Sequence, residues 1–212
     1  MNTSALPATA RGQARRLAMI DAAKDVFLEH GYERTTLDMV IANAGGSRRT
    51  LYECFGDKAG LFCAMVAANT EELISRLQAL PADATGPAHI LTHIARVFLD
   101  MVLSPEAIAI FRLMVAEGPK FPELGKAFYE EGPLRLRNHL TQYLQRASDN
   151  GELTVNDASL AARQFFGLIK SDYQMSALLC PAGGECIGEI ETEVDAAVAL
   201  FLKGYSPTNN TR

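Results

Sequence analysis

The sequence predicts an all-α protein, on three observations. No segment alternates apolar and polar residues as a half-buried strand would. Glycine and proline clusters divide the 212 residues into lengths suited to helices. In the best defined stretch, apolar residues recur at the three- and four-residue spacing that lines one helix face. The chain has no internal repeat and no low-complexity segment.

Nine helices follow in order. The first runs from about Arg11 to His30 and ends at Gly31. Thr35 or Thr36 can cap the second, with Asp38 suiting a capping box with Thr35 and Leu37, Val40, Ile41 and Ala44 facing inward. Gly45 and Gly46 end it, because glycine reaches left-handed backbone that other residues avoid. Ser47 caps the third, whose inward pair is Leu51 and Phe55. A long fourth helix from about Asp57 to Leu80 meets a Pro-Ala-Asp-Ala-Thr-Gly break. Pro87 precedes a fifth helix over about His89 to Leu103, Pro105 opens a sixth to Glu117, and Gly118-Pro119 stops it. Pro122 opens a seventh to Asn150, kinked where Gly132-Pro133 interrupts it. Asp157 can cap an eighth to about Leu179, and the ninth runs from about Gly188 to Gly204.

The stretch TTLDMVIANAGGSRRTLYECFGDK, Thr35 to Lys58, is two short helices joined by a glycine turn. That is a helix-turn-helix, and it points to double-stranded DNA. Rotating about 100° per residue from Leu51 and Phe55 turns Arg49, Thr50 and Glu53 outward, with Tyr52 on a flank. Arg48 lies nearer the buried side, but its long side chain can swing out from the first turn. The start of the second helix is what such a motif presents to base edges in the major groove. Lys58 opens a long helix, where an ammonium is out of place unless an anion neutralises it, and a DNA phosphate would be that anion. The candidate DNA-binding residues are Thr36, Ser47, Arg48, Arg49, Thr50, Tyr52 and Lys58.

The run from Arg15 to Met65 resembles the amino-terminal domain of the TetR family of bacterial transcription regulators. The likeness rests on A-x-x-x-F-x-x-x-G-Y (Ala23, Phe27, Gly31, Tyr32), the threonine pair, the glycine turn, T-L-Y-x-x-F (Thr50, Leu51, Tyr52, Phe55) and K-x-x-L-F (Lys58 to Phe62). Two positions depart from the family pattern. Gly46 stands where an apolar residue is usual, which would loosen the turn, and Cys54 stands where histidine is common, which would remove a phosphate contact. From Phe111 to Ile169 the chain resembles the ligand-binding domain of the AefR-like and AcrR-like branch, through F-R-L-x-x-A-E (Phe111 to Glu117) and F-P-E-L (Phe121 to Leu124). The resemblance implies a nine-helix TetR-like architecture, a homodimer and a small-molecule effector. The domains expected are residues 1–60 for DNA binding and 61–212 for ligand binding and dimerisation.

Charge divides along the same line. The net charge is −5, but residues 1–60 hold eight Lys/Arg against seven Asp/Glu, leaving the acidity in the remainder. With so small a basic excess, affinity for DNA must depend on where the cations sit rather than on an overall field. Arg11, ahead of the first motif, can add a minor-groove or phosphate contact. No apolar run is long enough to span a bilayer and no signal peptide is evident, so the expected location is cytoplasmic, with no membrane partner.

Beyond residue 60, aromatic and sulfur residues suit a largely apolar pocket between helices. The candidate lining is His93, Phe98, Met101, Phe111, Arg112, Met114, Phe128 and Phe166, with Gln164 a further orienting group. Each is also what an ordinary helical core would use. Phe165, Phe166, Ile169, Tyr173, Leu178, Val194, Val198 and Phe201 are the expected subunit interface. His89 and His93 have metal-compatible spacing but lack further ligands, so no metal and no cofactor are expected. Cys180 and Cys186 flank Pro-Ala-Gly-Gly-Glu and form a candidate redox pair. There is no G-x-S-x-G, P-loop, dinucleotide fingerprint or H-E-x-x-H, so no enzyme is expected. The expected function is ligand-responsive regulation of transcription, most simply as a repressor released from a palindromic operator by a small apolar or amphipathic effector. The alternative is a helical enzyme or a small-molecule-binding protein without DNA binding.

Overall fold

Among the residues that the computed structural model describes, 10–80, 85–170, 172–180 and 190–205, every regular element is helical. The elements are α1 (Ala10–Arg34), α2 (Leu37–Ala44), α3 (Arg48–Phe55), α4 (Lys58–Gln78), α5 (Gly86–Val102), α6 (Pro105–Glu117), α7 (Pro122–Tyr129), α8 (Arg135–Asp149), α9 (Ala158–Lys170), α10 (Tyr173–Leu179) and α11 (Ile190–Tyr205). The count exceeds nine because two expected helices are divided. The segment opened by Pro122 passes through a π-helical turn at Glu130–Leu134, where Pro133 has no N–H for the helical ladder. The segment capped by Asp157, whose carboxylate accepts from the Leu160 N–H at 2.9 Å, splits into α9 and α10. Gly31 breaks the helical geometry inside α1, with φ 76° and ψ 168°.

Among the described residues two compact units emerge, one of those up to Thr70 with Ala109–Gly132, the other of those from Glu71 to Ile108 and from Pro133 onward. The first has its own core. Met19, Ala23, Val26 and Phe27 of α1 meet Val40 of α2, Leu51 and Phe55 of α3, and Leu61, Phe62 and Met65 of α4. Ile110, Met114 and Leu124 close the same cluster from α6 and α7. Phe27 meets Phe62 edge-on at 5.4 Å between ring centres and stacks on Tyr32 at 5.7 Å. Each buried ring of this kind contributes about 1.5–3 kcal/mol. Packing therefore does not divide at residue 60, because the first turns of α4 complete the core under the helix-turn-helix.

The second unit is built from α5, α8, α9 and α11, with α9 packed on α8 and α5 and α11 packed on α5 and α9. Phe165 is fully buried at its centre and meets Phe201 edge-on at 5.1 Å. This corrects the expected subunit interface for all its residues but Phe166 and Leu178, which are only half-buried. Phe165, Ile169, Tyr173, Val194, Val198 and Phe201 are buried inside the chain's own unit. Helical periodicity identifies an apolar face without saying which neighbour covers it. The large apolar side chains turned outward on α9 and α11 are Leu160, Leu168 and Leu200.

Candidate nucleic-acid interface

The candidate recognition surface is set by two caps and a glycine turn. Thr36, in extended backbone, caps α2, and its hydroxyl accepts from the Met39 N–H at 3.4 Å. Thr35 is buried instead, donating to the Gly31 carbonyl at 2.7 Å, so the expected capping box with Asp38 does not form. Gly45 returns its N–H to the Ile41 carbonyl at φ 69°, and Gly46 follows at φ 109°. Both values lie where a side chain is strained. At Gly46 a Cβ would also stand 2.8 Å from the Met19 methyl. The turn is thus closely packed on α1 rather than loosened. Ser47 caps α3, accepting from the Thr50 N–H at 3.1 Å, and its hydroxyl lies 2.9 Å from that of Thr50.

Leu51 and Phe55 face inward, and Ser47, Arg48, Arg49, Tyr52 and Glu53 are exposed, whereas Thr50, expected outward, is half-buried. Tyr52, expected on a flank, is 55% exposed. Both arginines have partners. Arg48 reaches back to α2, where Nε donates to Asp38 at 2.6 Å and Nη2 donates to the second carboxylate oxygen. Arg49 Nε donates to Glu53 at 2.8 Å, one turn along α3. The Arg48 hydrogen bonds hold the Asp38 carboxyl below its usual value and raise the guanidinium, and Glu53 raises Arg49 likewise. Sequence reading missed Asp38 as a partner. The Arg49–Glu53 spacing is a helical i, i+4 signal, whereas Asp38 and Arg48 meet only once the turn is built.

Lys58 has different company from that expected. Its ammonium donates to the Tyr32, Glu33 and Thr35 carbonyls at 2.7, 3.1 and 3.0 Å and lies 4.5 Å from the Tyr32 ring centre. All three donors of an ammonium are then engaged. These carbonyls close α1 and lead into α2, a region whose partial negative charge attracts a cation. Burial pushes the Lys58 ammonium below its ordinary value, against the pull of Glu33 and Glu117. The anion that Lys58 was expected to lack is supplied by backbone. At the start of α4 Asp57 accepts from the Gly60 N–H at 2.7 Å, and a Cβ on Gly60 would stand 2.0 Å from the Phe55 carbonyl oxygen. Glycine there lets the end of α3 approach α4.

The candidate pocket residues gather as two groups. Phe98 and Phe166, 4.6 Å apart between ring centres, belong to the carboxy-terminal unit with Met101 and His93. Phe111 and Phe128, 6.4 Å apart, belong to the amino-terminal unit with Arg112 and Met114. Met114 is part of the core beneath the helix-turn-helix. His93 donates to the Arg76 carbonyl at 3.2 Å and His89 to the Thr85 carbonyl at 2.9 Å, so each ring is held by backbone. Cys180 is exposed, and Cys186 lies outside the described residues. An open groove of about 580 Å³ runs between α9 and α11, lined by residues that include Gln164, Gly167, Leu168, Leu200 and Gly204. Among the described residues no helix is long and apolar enough to cross a membrane.

Comparison with known proteins agrees with this geometry. Residues 19–65 match the family described as bacterial regulatory proteins of the tetR family. Residues 89–207 match the carboxy-terminal domain of AefR-like transcriptional repressors. The chain is 29% identical over 154 residues to the uncharacterized HTH-type transcriptional regulator YezE of Bacillus subtilis, covering 68% of this chain and 75% of that one. The solved structure of the flavonoid-responsive regulator FrrA superposes with a TM-score of 0.76 at 31% identity, over 92% of this chain and 98% of that one. A TetR transcriptional regulator from Agrobacterium tumefaciens superposes at 0.71 with 25% identity, over 92% and 95% of the two chains. With a helix-turn-helix whose exposed arginines stand at the start of its second helix, and with both family matches in register, the chain belongs to the TetR family of bacterial transcription regulators.

Proposed function

We propose that the protein is a homodimeric repressor that holds a near-palindromic operator and releases it when a small apolar or amphipathic molecule binds. The observation that carries the DNA-binding part is the capped amino terminus of α3, where Ser47, Arg48, Arg49 and Tyr52 lie together on an exposed surface. Thr50 and Thr36 complete that surface, Arg49 reading a base edge and the hydroxyls meeting phosphates. Lys58 acts on DNA through the carbonyls it holds. The repressor sign is supported by the AefR-like repressor match over residues 89–207. Dimerisation is supported by the outward apolar residues Leu160, Leu168 and Leu200 beside the α9–α11 groove. The effector would enter among the aromatic groups of Phe98 with Phe166 or Phe111 with Phe128, and a flavonoid is the first probe because one relative is named for responding to flavonoids. The functional division at residue 60 stands within this proposal.

Selection from a random duplex pool by the full-length protein tests the reading. The expected product is a near-palindrome with half-sites about 34–36 Å apart. Arg49→Ala should weaken binding by about 1–3 kcal/mol and relax one base position. A pool that yields no preferred sequence, or a monomer mass in sedimentation at micromolar concentration, would refute it. By linkage, an effector that weakens operator binding tenfold must bind the DNA complex about tenfold more weakly.

A further inference from the structure

The arginines that the recognition helix offers to DNA are already paired with carboxylates of the same surface. Asp38 receives two donors from Arg48 across the turn, and Glu53 receives one from Arg49 along α3. None of these pairs is buried. The arginine side chains are 72% and 87% exposed, and their carboxylates 56% and 60%. Pairs this exposed are weakly held and can be exchanged for another acceptor. Two cations and two anions also leave the tip of the motif without net charge. That local cancellation agrees with the basic excess of a single residue in positions 1–60.

We propose that Asp38 and Glu53 are specificity-determining residues of the DNA-binding site, withholding Arg48 and Arg49 from phosphates and yielding Arg49 only to a base edge that replaces its carboxylate. An arginine that leaves its carboxylate for a phosphate exchanges one ion pair for another and brings a second anion close to the backbone. A guanine edge offers two acceptors in the geometry of a guanidinium without bringing a phosphate beside the carboxylate, and a cytosine N4 amine can donate to Glu53. The acids therefore oppose docking on any duplex more than docking on the right one, which is specificity by repulsion. Asp38 acts as a positioning residue, because its two-pronged acceptance sets the direction in which the exposed Arg48 guanidinium rests against α2 until another acceptor takes it. This role rests on the DNA-binding reading above.

The test compares Asp38→Asn and Glu53→Gln with the wild type, all as full-length protein. Binding is measured on the duplex selected by the wild type and on a scrambled duplex of equal composition, between about 50 and 200 mM salt. Each variant should bind the scrambled duplex about three- to tenfold tighter, with a smaller change on the selected one, because a repulsive contact has gone. The ratio of the two affinities should fall correspondingly. The slope of log affinity against log salt should steepen by about one as the released arginine neutralises a phosphate. An unchanged ratio and slope, or a parallel loss on both duplexes, would overturn the proposal, since a purely structural role weakens both together. A wild type that retrieves no sequence at all overturns the DNA-binding reading and not this division of labour alone.

Discussion

The two packing units differ in how their surfaces are specified. In the amino-terminal unit the proposed DNA-binding face is made by neighbours in sequence: two caps, two glycines and an eight-residue helix put Ser47, Arg48, Arg49 and Tyr52 in the open. In the carboxy-terminal unit the side chains that meet come from α5, α8, α9 and α11, more than a hundred residues apart at the extremes. Which apolar residue is core and which is surface is decided there by neighbours that no local pattern names. Local chemistry can therefore be read for the first face, and only long-range packing decides the second.

The largest effects should come from the two cores. Phe27→Ala and Phe165→Ala each remove a fully buried ring, and each should cost about 3–5 kcal/mol in thermal or denaturant unfolding. If the units unfold separately, each variant should lower one of two transitions. A single transition falling in both variants would make the two units one cooperative body and weaken the comparison.

Gly60→Ala comes next. Its methyl would meet the Phe55 carbonyl oxygen, and relief by backbone shift should cost about 1–3 kcal/mol. Because Phe55 ends α3, DNA affinity should fall more than stability alone accounts for. Equal stability and equal DNA binding would mean that α3 and α4 separate freely there.

Lys58→Met sharpens the contrast between surface chemistry and packing. Losing three hydrogen bonds from a charged group should destabilise the amino-terminal unit by about 2 kcal/mol. The salt dependence of DNA binding should keep its slope. A slope reduced by about one, with unchanged stability, would restore Lys58 as a direct phosphate contact.

Much of the fold was legible, and the exceptions have physical causes. Gly31, Pro105, Pro122 and Asp157 mark their breaks because each acts on backbone at or within three residues of its own position. The carbonyl partners of Lys58 were not legible because the rule applied to it is local, whereas the acceptors it meets lie 23 to 26 residues earlier. The apolar residues of α9 and α11 were recognised as a face, but periodicity carries no label for the partner that covers it. Arg49 stands outward as the helical rotation predicts, and Arg48, expected nearer the buried side, has its side chain swung out, while their exchange partners depended on the turn for Asp38 and on one helical step for Glu53.

The smallest effect belongs to Tyr143 on α8, whose hydroxyl is buried with no hydrogen-bond partner. Burial pushes its phenol up to about 12 from an ordinary 10. The unfolded chain then ionises first, so this contribution to stability is complete below about pH 10 and is lost as the pH rises through about 12. Tyr143→Phe should leave stability near neutral pH within about 0.5 kcal/mol and make the alkaline decline shallower. Absorbance titration of the folded protein should lose one late-ionising phenol. An unchanged titration would place that late ionisation elsewhere.

The participation of Leu61, Phe62, Met65, Ile110, Met114 and Leu124 in the core under the helix-turn-helix also limits how such regulators can be recombined. A hybrid that joins residues 1–60 to the effector domain of a relative would inherit the exposed side chains proposed to read DNA together with half of a foreign floor. Transplanting the reading head intact requires carrying residues up to Thr70 and the stretch Ala109–Gly132 with it. Exchanging only the exposed side chains of α3 leaves that floor untouched. In this scaffold a new address on DNA is thus reached by editing a helix surface more readily than by trading modules.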